Sequence, residues 1–268
     1  MVEPWSPFLL FPLIGAVSGL LAGLFGIGGG LVIVPALNLF FAVSGLGIPP
    51  EVRMHFAIGS SLAVIVFTAV SSMWAHHRRG AVLWPAVRRL VPGIVAGGLL
   101  GAALADAMNN RLLEATFGVF VVAIASHMVL GRRPRASRPL PGRTGFLGAG
   151  TVIGTVSALA GIGGGVLTVP FLVWRTVPLH TAVGTAAACT MPVALAGATG
   201  FVLTGLDLQQ PVAFASGYIY WPAVAGISLA SVLTAPLGAR LAHSLPVVQL
   251  RRAFALLLVV VGLRMLVG

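Results

Sequence analysis

The sequence predicts an all-α polytopic membrane protein made of two homologous halves, and three observations carry that reading. Hydrophobic residues make up 58% of the 268 and charged residues only 8%, with a mean hydropathy of +1.04. A soluble domain carries about 25% charged residues to keep its surface wettable. Second, the polar residues cluster between apolar runs, most of them long enough to cross a hydrocarbon core of roughly 30 Å. Third, the chain repeats itself.

The apolar runs fall at about 8–25, 31–43, 57–75, 84–105, 112–130, 146–161, 166–174, 181–204, 218–240 and 247–267. Two of them, 31–43 and 166–174, are too short to span unaided, and each directly follows a glycine cluster. Residues 131–145, GRRPRASRPLPGRTG, read as a cytoplasmic linker because Pro, Gly and Arg interrupt helix and strand alike. The linker separates a first transmembrane repeat, 1–130, from a second, 146–268. The N-terminal stretch has no basic region and no convincing cleavage site, so it reads as a retained membrane segment.

The repeat is ordered along the chain. GIGGGLVIVP at 26–35 returns as GIGGGVLTVP at 161–170, an offset of 135; HFAIGS at 55–60 returns as HTAVGT at 180–185, offset 125; WPAV at 84–87 returns at 221–224, offset 137. Shared apolar composition does not produce ordered matches of this kind.

Net charge is +11 and every basic residue is Arg. Most sit at the ends of apolar runs, where they orient a membrane protein and do not form a nucleic-acid surface. Arg78, Arg79, Arg88 and Arg89 flank one connection and Arg132, Arg133, Arg135, Arg138 and Arg143 fill the linker, which places both in the cytoplasm. In the second half the basic side switches: 205–216 has Asp207 and no Arg, whereas 240–252 has Arg240, Arg251 and Arg252. That switch predicts inverted repeats, each with four long helices and a glycine-broken short helix. Inversion requires 8–43 and 146–174 each to act as a helix, a glycine turn and a returning half-helix; eight crossings in parallel halves would instead put 240–252 outside.

The glycine clusters are the candidate site. Non-helical backbone at membrane depth is tolerated only when buried in protein or lining a wet cavity. Gly28, Gly29, Gly30 and Leu31, with Gly163, Gly164, Gly165 and Val166, would present free N–H groups at the starts of two short helices, which suits an anion. Gly26, Gly161, Pro35 and Pro170 read as structural, the prolines shaping the first turns. Scattered glycines such as Gly97, Gly98 and Gly101 read as close helix packing. Ser60, Ser61 and Thr185 are candidate donors to an oxyanion, or bond back to their own helix carbonyls. His55 and His180, at span ends, are candidates for gating or proton coupling.

The only carboxylates, Glu3, Glu51, Asp106, Glu114 and Asp207, fall at or near span ends, so the cavity should offer neutral donors and favour anions over cations. One cysteine, Cys189, leaves no disulfide or cysteine metal site, and neither a metal nor a cofactor is expected. The chain has no P-loop and no lysine, which argues against ATP hydrolysis. A hydrolase built from Ser71 or Ser72 with His76 or His77 is the competing enzyme reading, resting on their spacing along one helix face.

The duplicated GIGGGxxxVP, the following H-x-A-[IV]-G-[ST] and the later WPAV resemble the sulfite exporter TauE/SafE family of membrane transporters, from about Gly15 to Gly268. The resemblance implies secondary transport of small sulfur-containing anions (sulfite, sulfoacetate or related organosulfonates), as export, with uptake of another small anion as the alternative. It also implies a multi-pass protein of a bacterial cytoplasmic membrane. The expected partners are a small anion and the lipid bilayer, with no nucleic acid and a homo-oligomer left open.

Overall fold

The computed structural model describes residues 6–25, 29–130, 139–208, 212–241 and 247–267. The first half contains α1 (Ser6–Phe25), α2 (Gly30–Val43), α3 (Arg53–Arg78), α4 (Trp84–Asp106) and α5 (Asn110–Leu130). The second contains α6 (Arg143–Leu159), α7 (Gly165–Trp174), α8 (Leu179–Thr204), α9 (Trp221–Leu241) and α10 (Val247–Val267). Every apolar run is a helix. The exception is the start of the ninth, where β1 (Ala215–Ser216) and β2 (Ile219–Tyr220) form an antiparallel hairpin before the helix begins at Trp221. Phe214 and Gly217 take positive φ there, 60° and 54°, which a helix cannot accommodate.

Five helices among the described residues are long and apolar enough to cross a membrane: Pro50–Arg78, Trp84–Asp106, Asn110–Leu130, Leu179–Thr204 and Trp221–Gly238. Their outward faces stay apolar, with Val119, Leu229 and Leu233 each more than half exposed. A surface of that kind matches lipid and not water.

Each half opens with a helical hairpin. α1 ends at the first glycine cluster and α2 returns beside it, so Phe11 near the start of α1 meets Phe40 near the end of α2 at 4.8 Å between ring centroids. α6 and α7 repeat this, with Phe146 and Phe171 6.3 Å apart. At 1.5 Å per residue α2 and α7 are roughly 21 and 15 Å long, so each starts inside the bundle.

Packing between the halves follows their duplication. α1 lies alongside α9, where Gly15 faces the Ile227 carbonyl and Gly19 that of Ser231. α4 lies alongside α6 in the same way, where Gly93, Gly97 and Gly101 face the carbonyls of Leu147, Thr151 and Thr155. Any side chain at these glycines would meet backbone, so the expected packing role of Gly97 and Gly101 holds. Both of these pairs run parallel. The equivalent helices α3 and α8 instead run antiparallel: Gly59 sits against Phe201, Leu62 against Gly197, and Ile65 and Ala69 beside Ala194. α5 and α10 are antiparallel too, with Gly118 against Gly262 and the Arg111 guanidinium donating to the Leu266 and Val267 carbonyls at 2.7 and 3.0 Å.

Candidate functional site

Gly30, at the end of the first glycine cluster, meets Gly161 of the second where the two halves join. α6 ends through Gly161, whose φ of +60° suits a residue without Cβ. The Gly161 and Ile162 N–H groups bond back to Ala158 and Ser157 at 3.2 and 3.0 Å, closing the helix. From the first half, Ser61 Oγ donates to the Gly161 carbonyl at 2.8 Å, and Gly30 packs so closely on that carbonyl that a Cβ would overlap it. Gly29 and Gly164 precede α2 and α7 as N-caps, and the first bonds to their carbonyls come from Val32 and Leu167. Gly30, Leu31, Gly165 and Val166 therefore carry N–H groups with no intrahelical acceptor.

A cavity of about 570 Å³ lies against this junction. Gly29, Gly163 and Gly165 form its floor, and Ser18, Ser231, Thr68 and Thr190 give it hydroxyls. Ser71, Ser72, His76 and Arg79 line it along the C-terminal part of α3. No carboxylate borders it among the described residues. Thr68 and Thr190 bond back to the Ile65 and Ala186 carbonyls at 3.2 and 3.0 Å, and Ser18 and Ser231 pair at 3.0 Å over the Gly15 carbonyl. Ser71 and Ser72 are exposed to the cavity. These two and His76 are the residues of the hydrolase reading, but His77 is engaged elsewhere, accepting at Nδ1 from the Trp84 indole at 3.3 Å.

The H-x-A-[IV]-G-[ST] motifs have a different geometry from the cavity. Ser60 Oγ accepts from the Tyr220 N–H at 2.9 Å, and Thr185 Oγ1 accepts from the Leu83 N–H at the same distance. Gly59 makes room for the Tyr218 carbonyl, and Gly184 for that of Ala81. Each motif thus clamps the connection that returns from the other half. Ser60, Ser61 and Thr185 are fully buried and none borders the cavity.

Of the remaining sequence-selected residues, Gly30, Leu31, Gly164 and Val166 adjoin the cavity-lining glycines in sequence but do not border the cavity themselves. Gly26 and Gly28 lie outside the described residues, as do 131–138 and the side chains of Arg240, Arg251 and Arg252. Pro35 and Pro170 are the sixth residues of α2 and α7, past the first turn; each removes a donor to the carbonyl four residues earlier. His55 is buried away from the cavity, with Nε2 donating to the Ala105 carbonyl at 2.9 Å, whereas His180 is exposed at the start of α8. His55 stacks on Tyr218, whose hydroxyl donates to Asp106 at 3.0 Å. Burial and that bond push the Tyr218 hydroxyl up to about 12. Glu114 lies one turn into α5, where Asn38 and Asn110 donate to it at 3.0 Å each, so it is built into the bundle and does not stand free at a span end.

Sequence reasoning missed Ser18, Ser231, Thr68 and Thr190. Isolated hydroxyls in apolar runs carry no local signal, and only the packing of α1, α3, α8 and α9 brings them to one cavity. Among the described residues no three His, Cys, Asp or Glu side chains are grouped to hold a metal.

Compared with known proteins, residues 11–265 match the family described as sulfite exporter TauE/SafE. A probable membrane transporter protein of Haemophilus influenzae is 38% identical over 259 residues, covering 96% of this chain and 97% of that one. A probable membrane transporter protein of Methanocaldococcus jannaschii is 28% identical over 273 residues, covering 96% of both. A probable membrane transporter protein of Bacillus subtilis, YunE, is 31% identical over 182 residues, covering 61% of this chain and 66% of that one. No solved structure matches.

Proposed function

The chain belongs to the sulfite exporter TauE/SafE family of membrane transporters, and on that premise we propose that it exports small sulfur-containing oxyanions as a secondary transporter of the bacterial cytoplasmic membrane. One observation carries the substrate class. The cavity is floored by glycines at two helix N-termini, carries hydroxyls, has Arg79 and His76 along one side and lacks a bordering carboxylate among the described residues. Helix N-termini and uncompensated N–H groups stabilise negative charge and penalise a cation. Gly29, Gly163 and Gly165 approach the anion with backbone, Ser71 and Ser72 offer hydroxyls to it, and Ser60, Ser61 and Thr185 hold the frame. Sulfur specificity comes from the family, not from the geometry.

Antiparallel packing of α3 on α8 and of α5 on α10 supports an inverted relation between the halves. The cavity then opens beside the basic α3–α4 connection, on the cytoplasmic side by the positive-inside rule. A cell interior that is negative favours outward movement of an anion by about 2.3 kcal/mol per charge per 100 mV, which makes export the downhill direction. Proteoliposomes with the purified protein test the reading. Labelled sulfite should move in a protein-dependent way, be suppressed by unlabelled sulfite or a small sulfonate, and be indifferent to choline. Flux confined to a cation or a neutral solute would refute it.

A further inference from the structure

The two halves are equivalent in sequence but not in packing, and the difference is largest at one pair of interfaces. α1 on α9 matches α6 on α4, and α2 on α3 matches α7 on α8, in extent. In contrast, α4 packs far more extensively on α8 than α9, its equivalent, packs on α3. Where α9 stands off α3 the cavity is found, and Ser71 and Ala235 both line it. Their equivalents at offsets 125 and 137, Ala196 and Gly98, are in contact: a Cβ at Gly98 would stand 2.9 Å from that of Ala196. Gly200, equivalent to the cavity-lining Ala75, is pressed on Ala102 in the same way.

The closed side contains unsatisfied polar atoms. Ser157 Oγ, Thr168 Oγ1 and Thr204 Oγ1 are buried without a hydrogen-bond partner, and Ser157 and Thr168 are fully buried. Each is equivalent to a residue lining the open cavity: Ala22, Ile33 and Arg79 respectively. A buried hydroxyl without a partner costs about 1–3 kcal/mol, and all three fall at positions whose equivalents in the other half reach the open cavity.

We infer that Ser157, Thr168 and Thr204 line a second route to the same anion site, closed here by docking of the α4–α6 pair on α8. Transport exchanges the two dockings: α1–α9 closes on α3 through Ser71 and Ala235 while α4–α6 leaves α8 at Ala196 and Gly98. The glycine turns, where the halves meet, stay in place between them. In that second state the three hydroxyls gain water or the passing oxyanion as partners. The inference rests on the transporter reading but not on the identity of the anion.

The test uses disulfides in a Cys189→Ala background. Gly98→Cys with Ala196→Cys should cross-link in the state described, and Ser71→Cys with Ala235→Cys in the exchanged state; each should abolish flux until reduced. A reporter, Ser157→Cys, is then exposed to a charged methanethiosulfonate in detergent. It should react at least about tenfold faster in the Ser71–Ala235 cross-linked protein than in the Gly98–Ala196 cross-linked protein, and Ala22→Cys should show the reverse. If Gly98→Cys does not fold, the near-isosteric Ser157→Cys with and without the Ser71–Ala235 cross-link decides alone. Failure of that cross-link to form in a transporting protein, or protection of Ser157→Cys once it has formed, overturns the inference. Exchange of reactivity without sulfite flux would refute only the anion assignment, because labelling needs no substrate.

Discussion

At the scale of residues, the same side chain does different work according to the backbone group placed opposite it. Ser60 and Thr185 accept buried N–H groups from Tyr220 and Leu83. Ser60→Ala and Thr185→Val should each lower unfolding free energy by about 1–3 kcal/mol, because a buried donor loses its acceptor. Thermal unfolding in detergent measures the loss, and affinity of the folded fraction for sulfite should stay near that of the parent. Gly29→Leu and Gly163→Leu should act on binding instead, with sulfite affinity lost in the folded fraction, since both glycines border the cavity; Gly163→Leu should also lower stability, because its Cβ would stand 2.8 Å from Thr190 Cγ2. Parent-like affinity in both folded variants would remove the glycine turns from the binding site. Tyr218 offers a pH test outside the spans. Its hydroxyl is raised from 10.0 to about 12, so the folded state holds a proton that the unfolded chain releases. The stability this contributes is complete below about pH 10 and is lost as pH rises through 12. Tyr218→Phe should flatten that alkaline decline in unfolding scans, whatever it does to stability at neutral pH.

At the scale of elements, the parallel seams α1–α9 and α4–α6 are glycine-lined and closely packed. Gly97→Leu or Gly154→Leu would drive a side chain into the Thr151 or Ile94 carbonyl. Overpacking of this kind costs typically 1–3 kcal/mol and more where backbone must move. Both variants should show reduced yield and a lowered melting temperature. Gly148, which has open space around its Cβ position on the same helix, should accept leucine without either effect. The short helices α2 and α7 follow from glycine before and proline within: glycine releases the chain from α1 or α6, and the missing proline donor loosens the second turn.

At the scale of the whole molecule, the duplication predicts sidedness. Gly80 in the α3–α4 connection and Phe214 in the α8–α9 connection occupy corresponding loops, and both are exposed. With inverted halves, Phe214→Cys reacts with an impermeant thiol reagent on intact cells and Gly80→Cys reacts only after permeabilisation. Parallel halves would give both positions the same behaviour and would remove the two-sided exchange of routes as well.

The sequence by itself determined what depends on local chemistry. Apolar runs, their lengths and the glycine clusters are short-range features, so the ten α-helices among the described residues and the internal sequence repeat were legible, and the small-residue seams nearly so. Only tertiary structure decided which hydroxyls reach the cavity. Ser18 and Thr190 look no different in sequence from Ser60 and Thr185; what separates them is whether a distant N–H, a helix carbonyl or open space faces the oxygen. The hairpin at 215–220 was hidden for the same reason, since Tyr218 and Ile219 read as helix until α3 supplies Gly59 and Ser60 to receive them. The asymmetry of the halves is the deepest case. Duplicated segments encode nearly the same contacts twice, and which copy docks and which stands open is a property of the packed whole.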